Sequence, residues 1–417
     1  MLMDFISVFL YNNFVMKNIY LDWAATSIPD HKILQNIYET SIETFANASS
    51  LHSLGIKAKK LLEKSREQCA NALKVDKKNI FFTSGGTESN NLSIYSIIRK
   101  KIKGTIISTN IEHPSVLSPI GQLEDLGFNV IRIDSEKSGI IDPDKIEKSL
   151  TENTALVAII HVNNETGAIQ PINKLAEIIY KYSNKIGKNI LFHCDGVQAA
   201  GKIPINLTRS NIDFYTISSH KISGPKGVGL LYCRKKIEPL YKGGGQESGI
   251  RPGTENVANI FGFSLALQQA VDNINQNIES AKKKCSLLIS NLKKIKECRI
   301  IPEQRIDATF FPQQYDRADG SDMQDLFSPY ILNFYIKNIP AEVLVRAMSE
   351  KGFFISAGAA CSSNKKNESQ TLKSMKVEKA GMLSSVRVSI GPQTKEEELI
   401  DFCNVLEEES KKLLNVI

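Results

Sequence analysis

A lysine, Lys221, stands just past the apolar run Asp213-Phe-Tyr-Thr-Ile-Ser218, in the stretch Ser218-Ser-His-Lys221 followed by Ile-Ser-Gly-Pro-Lys-Gly. At the carboxyl end of a buried parallel strand, such an amine can form a Schiff base with a phosphorylated aldehyde cofactor while nearby hydroxyls, a histidine and glycines hold the phosphate. A lysine there can equally do no more than snorkel to solvent. The second signal lies upstream, where Asn189-Ile-Leu-Phe-His-Cys-Asp195 makes another short apolar run ending in a carboxylate, with Gln198 just beyond. Pyridoxal phosphate needs an acid against its ring nitrogen, because the protonated ring is what accepts electrons from a substrate carbanion; Asp195 would fill that role. A third run, Asn79-Ile-Phe-Phe-Thr83, leads into Ser84-Gly-Gly-Thr-Glu-Ser-Asn-Asn91 and then a helical pattern. Glycines that open a helix expose N–H groups to an anion at the positive end of its dipole, which makes Gly86 and Thr87 phosphate candidates.

These residues share a pocket only if one sheet aligns their strand ends, since open α/β sheets bind ligands beyond the carboxyl ends of the strands. From residue 31 to 275 short apolar runs alternate with helix-period patterns such as 56–73 and 173–185, which predicts a doubly wound, mostly parallel α/β sheet. The runs place strands at 79–83, 104–108, 129–133, 155–161, 189–193, 213–217 and 228–232. Residues 256–296 read as long helical material leading to a smaller α/β domain with strands near 329–336 and 384–389. A last helix at 394–414 carries Glu first and Lys last, as its dipole prefers. The expected division is an N-terminal segment 1–30 joining the small domain, a large cofactor-binding domain 31–275 and a C-terminal domain 276–417. Residues 304–328 are polar and irregular and read as a surface insertion.

Composition narrows the class. The 417 residues are 42% hydrophobic and 23% charged, enough for a sizeable core in two domains. The net charge of +7 comes from 52 basic and 45 acidic side chains spread along the chain, which argues against a nucleic-acid footprint. Seven cysteines, with no Cys-x-x-Cys pair, speak against a disulfide framework or a zinc site and for a reducing, cytoplasmic setting. The opening Met1-Leu-Met-Asp-Phe-Ile-Ser-Val-Phe-Leu-Tyr lacks a basic start and a cleavage site, and falls short of the roughly twenty apolar residues of a membrane span. Translation from Met16 is the expectation. The glycines at 243–245 and Gly224-Pro-Lys-Gly227-Val-Gly229 lack the strand–turn–helix context of a dinucleotide fingerprint.

Taken in order, the motifs resemble the cysteine desulfurases of the NifS/IscS type, in the class V aminotransferase group of pyridoxal phosphate enzymes. The resemblance runs from Tyr20 to the C-terminus. It includes Tyr20-Leu-Asp-Trp-Ala-Ala-Thr26, Ser49-Ser50 with His52, Glu112-His-Pro114, His161-Val-Asn-Asn-Glu-Thr-Gly167 and His193-Cys-Asp-Gly-Val-Gln198. Further on come Ser218-Ser-His-Lys221, Gly243-Gly-Gly-Gln-Glu247, Arg251-Pro-Gly-Thr254, Gly358-Ala-Ala-Cys361 and Ser384-Ser-Val-Arg387.

That resemblance implies a fold-type I pyridoxal phosphate enzyme, with Lys221 holding the cofactor and then moving the substrate's Cα proton. His113 would stack on the ring and assist proton transfer, although the residues alone also allow a hydrogen-bonded loop histidine. Asn164 and Gln198 would bond the ring hydroxyl, and Ser218 and His220, with Gly86 and Thr87, would cradle the phosphate. Thr254 would reach the phosphate of a neighbouring subunit, implying a homodimer with a composite site. Arg387, with Asn164, would bind the substrate carboxylate, a task for which a planar guanidinium suits better than an amine. Cys361, on a small, polar, lysine-containing stretch that reads as a mobile loop, would accept sulfur from L-cysteine as a persulfide and release L-alanine. Ala359 stands where many relatives carry Ser. No intrinsic metal is implied beyond transient contact of Cys361 with a nascent cluster. The implied partner is an iron–sulfur scaffold or another sulfur acceptor, for cluster assembly or tRNA thiolation. A selenocysteine lyase, another class V enzyme, and a catalytically silent sulfur-trafficking protein are the alternatives.

Overall fold

The computed structural model describes residues 18–98, 103–208, 210–235, 237–306, 326–358 and 368–416. The Met1 to Tyr11 stretch, Met16, Ala359 and Cys361 fall outside them. Strands are numbered in chain order: β1 Ile19–Tyr20, β2 Ile80–Thr83, β3 Thr105–Thr109, β4 Asn129–Ile133, β5 Thr154–Ile160, β6 Leu191–Asp195, β7 Phe214–Ser218, β8 Gly229–Cys233, β9 Cys298–Ile301, β10 Ile331–Ile336, β11 Phe353–Phe354, β12 Ser356–Ala357 and β13 Ser385–Ser389. Seven of them form one sheet in the order β2-β8-β7-β6-β5-β3-β4. The neighbours from β7 to β4 pair in parallel, while β8 runs antiparallel to both β7 and β2.

The apolar runs are continuous because both faces of this sheet are sealed by helices. Along β5, Val157 and Ile159 join one apolar cluster and Leu156 and Ala158 join the cluster on the other face. In β3, Ile107 and Ile106 divide in the same way. The second of these clusters is completed by Val116, Ile120 and Leu123 of the helix Pro114–Asp125. Aliphatic side chains dominate both faces, with a few buried polar groups such as His193, which meets Ser93 Oγ at 2.9 Å, and the candidate chemistry collects where the strands end.

A second apolar cluster joins Ile19, Leu21 and Ala24 to residues between Ile278 and Leu406. It surrounds an antiparallel sheet of order β12-β13-β10-β9. The N-terminal segment enters it by pairing β1 with β11 and by a bridge from Asp22 to Ser389. The helices Val257–Asp272 and Ile274–Leu292 lead from one cluster to the other. Among the described residues no helix is long and apolar enough to cross a membrane.

The reading of 304–328 as a polar surface insertion needs correction at its flanks, residues 307–325 being outside the described set. Arg305 is 1% exposed, donates to the carbonyls of Thr166 (2.9 Å) and Ser328 (2.6 Å), and lies 5.3 Å from the centre of the Phe327 ring. Phe327 is buried in its turn. A guanidinium can be buried in this way because carbonyls and an aromatic face replace its water.

A second buried guanidinium fixes the loop that follows β8. Arg66 is bidentate to Glu247, with both N–O distances 2.7 Å, and Glu247 also accepts the backbone N–H of Phe82 at 2.8 Å. Removing one member of a buried pair leaves the other charge uncompensated. Glu247→Ala is therefore expected to cost about 3–5 kcal/mol, read as a lowered urea midpoint, whereas Lys181→Ala, which breaks an exposed pair with Glu177, leaves the midpoint nearly unchanged.

Candidate active site

Asp195 is the last residue of β6, in register with Ile160 of β5 and Thr216 of β7. It is 3% exposed, and each carboxylate oxygen has a donor: Asn90 Nδ2 at 2.8 Å on Oδ2 and the Val197 N–H at 3.0 Å on Oδ1. Lys221 follows β7 by a single turn, Ser219–Lys221. Its Nζ donates to the carbonyls of Ala24 (2.6 Å) and Ala25 (2.7 Å), contacts that bring the N-terminal segment over the strand ends. His113 lies beyond β3 and caps the helix Pro114–Asp125, whose first residue is a proline with no N–H to satisfy. Burial holds its imidazole below the ordinary histidine value, with the Asp195 charge opposing and the Lys221 charge adding to that effect. The three residues singled out from sequence thus feel one another's charge at one edge of the sheet.

Beside them lies a seat for an anion. The helix Gly86–Ile94 begins without a side-chain cap, leaving its first N–H groups open. A Cβ on Gly86 would stand 2.8 Å from Val197 Cγ2 and 3.6 Å from Ser218 Cβ, so only glycine lets this backbone so close. Ser218 is buried, Thr87 is exposed in the first turn, and Thr216 Oγ1 is buried without a hydrogen-bond partner among the described residues. His220 sits 3.1 Å from Thr26 Oγ1, and burial, then Lys221, Lys202 and Lys226, lower its pKa to about 4. Thr254 is exposed on its loop and is not drawn into the buried group around Asp195.

On the opposite side Arg387, in β13, is 5% exposed. Its fork is filled by Asp22 Oδ1 at 2.7 Å and by the carbonyl of the half-buried Asn164 at 2.9 Å, and its Nε has no partner among the described residues. A carboxylate reaching this arginine competes with Asp22. Gln198 spends its amide on the Ala24 carbonyl (2.9 Å) and on Lys202 Nζ (2.9 Å). Burial, with the charges of Lys221 and Arg387, brings Lys202 down to about 7. A cavity of about 160 Å³, lined in part by Trp23, Lys202, Lys221 and Tyr330, opens beside these cations.

Sequence reasoning passed over Asn90, Ser115, Lys202, Asp22 and the Ala24 carbonyl as working parts. Asn90, Asp22 and Ala24 lie inside stretches already quoted for other reasons, but neither spacing nor periodicity marks their partners. The six described cysteines are all buried, as expected of inert thiols. Burial pushes Cys233, Cys298 and Cys403 up to about 12 and raises Cys69 and Cys194 as well. Cys361 lies outside the described residues.

Residues 19–402 match the model of the family described as aminotransferase class-V. The chain belongs to that family. Among its class-V relatives, it is 35% identical over 404 residues to the cysteine desulfurase IscS of Dictyoglomus turgidum, covering 96% of each chain. It is 36% identical over 398 residues to the NifS/IcsS protein homolog of Lactobacillus delbrueckii subsp. bulgaricus, covering 94% of this chain and 96% of that one. Its fold matches the solved structure of a NifS-like protein with a TM-score of 0.83 at 32% identity, over 96% of this chain and 100% of the other. A structure described as SspA in complex with cysteine matches with a TM-score of 0.74 at 29% identity, over 90% and 100%. Both likenesses agree with a fold-type I class-V enzyme.

Glu112, next to His113, supplies a pH test of this class-V site. Its Oε1 accepts Thr109 Oγ1 (2.6 Å) and the Ile160 N–H (2.9 Å), and its Oε2 has no partner among the described residues. Burial, with a smaller push from Asp195, raises its carboxyl from 4.5 to about 8. The folded state therefore keeps a proton that the unfolded chain releases, and the stability this confers is complete below pH 4.5 and lost as pH rises towards 8. Glu112→Gln is expected to flatten the fall of Tm between pH 5 and 8.5, measured by calorimetry across that range.

Proposed function

We propose that the chain is a pyridoxal phosphate-dependent cysteine desulfurase that converts L-cysteine to L-alanine and passes the sulfur to Cys361. The observation that carries this reading is the meeting of Lys221, Asp195 and His113 at the carboxyl edge of the parallel sheet, next to an uncapped helix start. Near-full-length likeness to proteins named cysteine desulfurase supports the choice of reaction.

The residues fit the cofactor. The glycine seat at Gly86 and the open N–H groups suit a phosphate, and the buried Asp195 carboxylate suits a protonated ring nitrogen. Gly86, Thr87, Ser218 and His220 would hold the phosphate, His113 the ring face, Asn164 and Gln198 the ring hydroxyl, and Lys221 the aldehyde carbon. When bound, pyridoxal phosphate supplies an electron-withdrawing ring that acidifies the substrate's Cα and loosens its Cβ–S bond. Lys221 takes and returns the Cα proton, and Arg387 and Asn164 hold the substrate carboxylate in competition with Asp22. The Cys361 thiolate forms a bond to the substrate sulfur as the Cβ–S bond breaks. The electron pair stays with the carbon fragment, which gains a proton and leaves as alanine.

The domain division at 31–275 and 276–417, with residues 1–30 joining the smaller part, belongs to this proposal and is supported by the two main apolar clusters. So does a homodimer. Leu34, Tyr38 and Ile42 stand exposed along one stripe of the helix His31–Glu43, followed by exposed Phe45 and Leu51, an apolar patch suited to a second copy of the chain. Thr254, exposed on its loop, would then serve the partner's phosphate site. The setting is cytoplasmic, and the persulfide goes on to an iron–sulfur scaffold or another sulfur acceptor, for cluster assembly or tRNA thiolation.

Incubation of the purified protein with one equivalent of L-cysteine should yield one sulfur on the Cys361 peptide by mass spectrometry and matching alanine. A spectral change with no sulfur on Cys361 would count against a desulfurase. Cys361→Ser should keep the cofactor absorbance and lose the persulfide, and Lys221→Ala should slow turnover roughly 10²–10⁴-fold. Ile42→Asp should halve the mass seen by light scattering, and a wild-type monomer would remove the dimer from the reading.

A further inference from the structure

Asn90 lies one turn into the helix Gly86–Ile94 and is completely buried. Both hydrogens of its Nδ2 are used, one on Asp195 Oδ2 at 2.8 Å and the other on Ser115 Oγ at 2.8 Å. An amide nitrogen only donates, so the Ser115 oxygen accepts in that contact. Its own proton is then available to His113 Nδ1, 2.7 Å away. The backbone N–H of Ser115 points at the same ring nitrogen from 3.1 Å. With two donors aimed at it, Nδ1 presents its lone pair and the ring proton resides on Nε2. The opposite orientation of the amide would set its oxygen 2.8 Å from the Asp195 carboxylate, acceptor against acceptor.

We infer that Asn90 is a positioning residue that fixes the Nε2–H tautomer of His113 through Ser115 while holding Asp195, so that the two groups assigned to the cofactor's ring are set by one amide. This rests on the reading of Asp195 and His113 given under the proposed function. In this arrangement His113 presents a neutral Nε2–H with which it can assist proton transfer, while the Cα proton is moved by Lys221. Adding a proton at Nδ1 would set that ring nitrogen donor against donor with the Ser115 N–H, losing the backbone bond, and would force the Ser115 hydroxyl to turn from donor to acceptor while it already accepts from Asn90. The charged groups that face the imidazole are Asp195 from β6 and Lys221 from the turn after β7, and the buried Glu112 lies beside Asp195. Burial and the Lys221 charge already disfavour the imidazolium, in the same direction as the relay.

The test is ¹⁵N NMR of histidine-labelled holoenzyme, with the His113 signals identified by their loss in His113→Gln. The expected result is an unprotonated Nδ1 and a protonated Nε2, unchanged from pH 6 to 8. In Asn90→Ala and in Ser115→Ala, which cut the relay from its two ends, the Nδ1–H form should appear and the acidic limb of the kcat/KM profile should move by about tenfold in proton concentration. Asn90→Gln is not expected to rescue it, because the longer amide overshoots both acceptors. An Nδ1–H imidazole in the wild type, or an unchanged tautomer in Ser115→Ala, would overturn the inference. The tautomer is read without turnover, so a protein that is folded and inactive on L-cysteine would sink the functional reading and still decide this one.

Discussion

A carboxylate almost withdrawn from water, Asp195, is the constraint around which this molecule is arranged. Leaving it unpaired at the end of a buried strand would cost several kcal/mol, and its two oxygens are met by one side-chain amide and one backbone N–H. The sheet makes that placement necessary. With both faces covered mostly by aliphatic side chains, a charged group is best accommodated at the edge where strands stop, and Asp195, His113 and Lys221 leave the sheet there. Once the carboxylate is in place, its field reaches the groups around it: it pulls His113 up against burial and it helps keep Glu112 protonated.

Most of the large sheet was legible because a strand buried on both faces has to be apolar without interruption. The runs at 79–83, 104–108, 129–133 and 213–217 correspond to β2, β3, β4 and β7 within a residue or so at each end, and the turns and carboxylate that end such runs single out Lys221, Asp195 and Gly86 as candidates. What stayed hidden was short or depended on distant partners. The two-residue strands β1, β11 and β12 carry no periodicity, and β9 lies just beyond a long helical pattern that masks it. Asn90 looks like any polar residue near a helix start, and its meaning comes from a strand 105 residues away. Asp22 and Arg387 are 365 positions apart. Arg305 and Phe327 were misjudged because a buried arginine sandwiched by carbonyls and a ring looks, as a string of letters, like a polar loop.

Electrostatics around the site divides its polar groups by sign. Lys202, Lys221 and Arg387 sit close enough to influence one another, and Asp22 and a row of carbonyls hold them in place. Their mutual repulsion favours the arrival of an anion, since each positive group is steadied by a negative partner. The protein supplies that partner itself through Asp22, which keeps the guanidinium of Arg387 ordered instead of leaving an unpaired charge in a buried strand.

The carbonyl of Ala24 accepts from both Lys221 and Gln198, while the residues just before it are held by Phe354 and Ser389. The segment around Ala24 is therefore one of the last to find its place. During synthesis a ribosome can release every strand of the seven-stranded sheet once Cys233 has emerged, so the sheet and its buried carboxylate can form early. The roof over the lysine must wait more than a hundred and fifty further residues for β13, so a nascent chain carries an open pocket with its amine uncovered until translation is nearly finished.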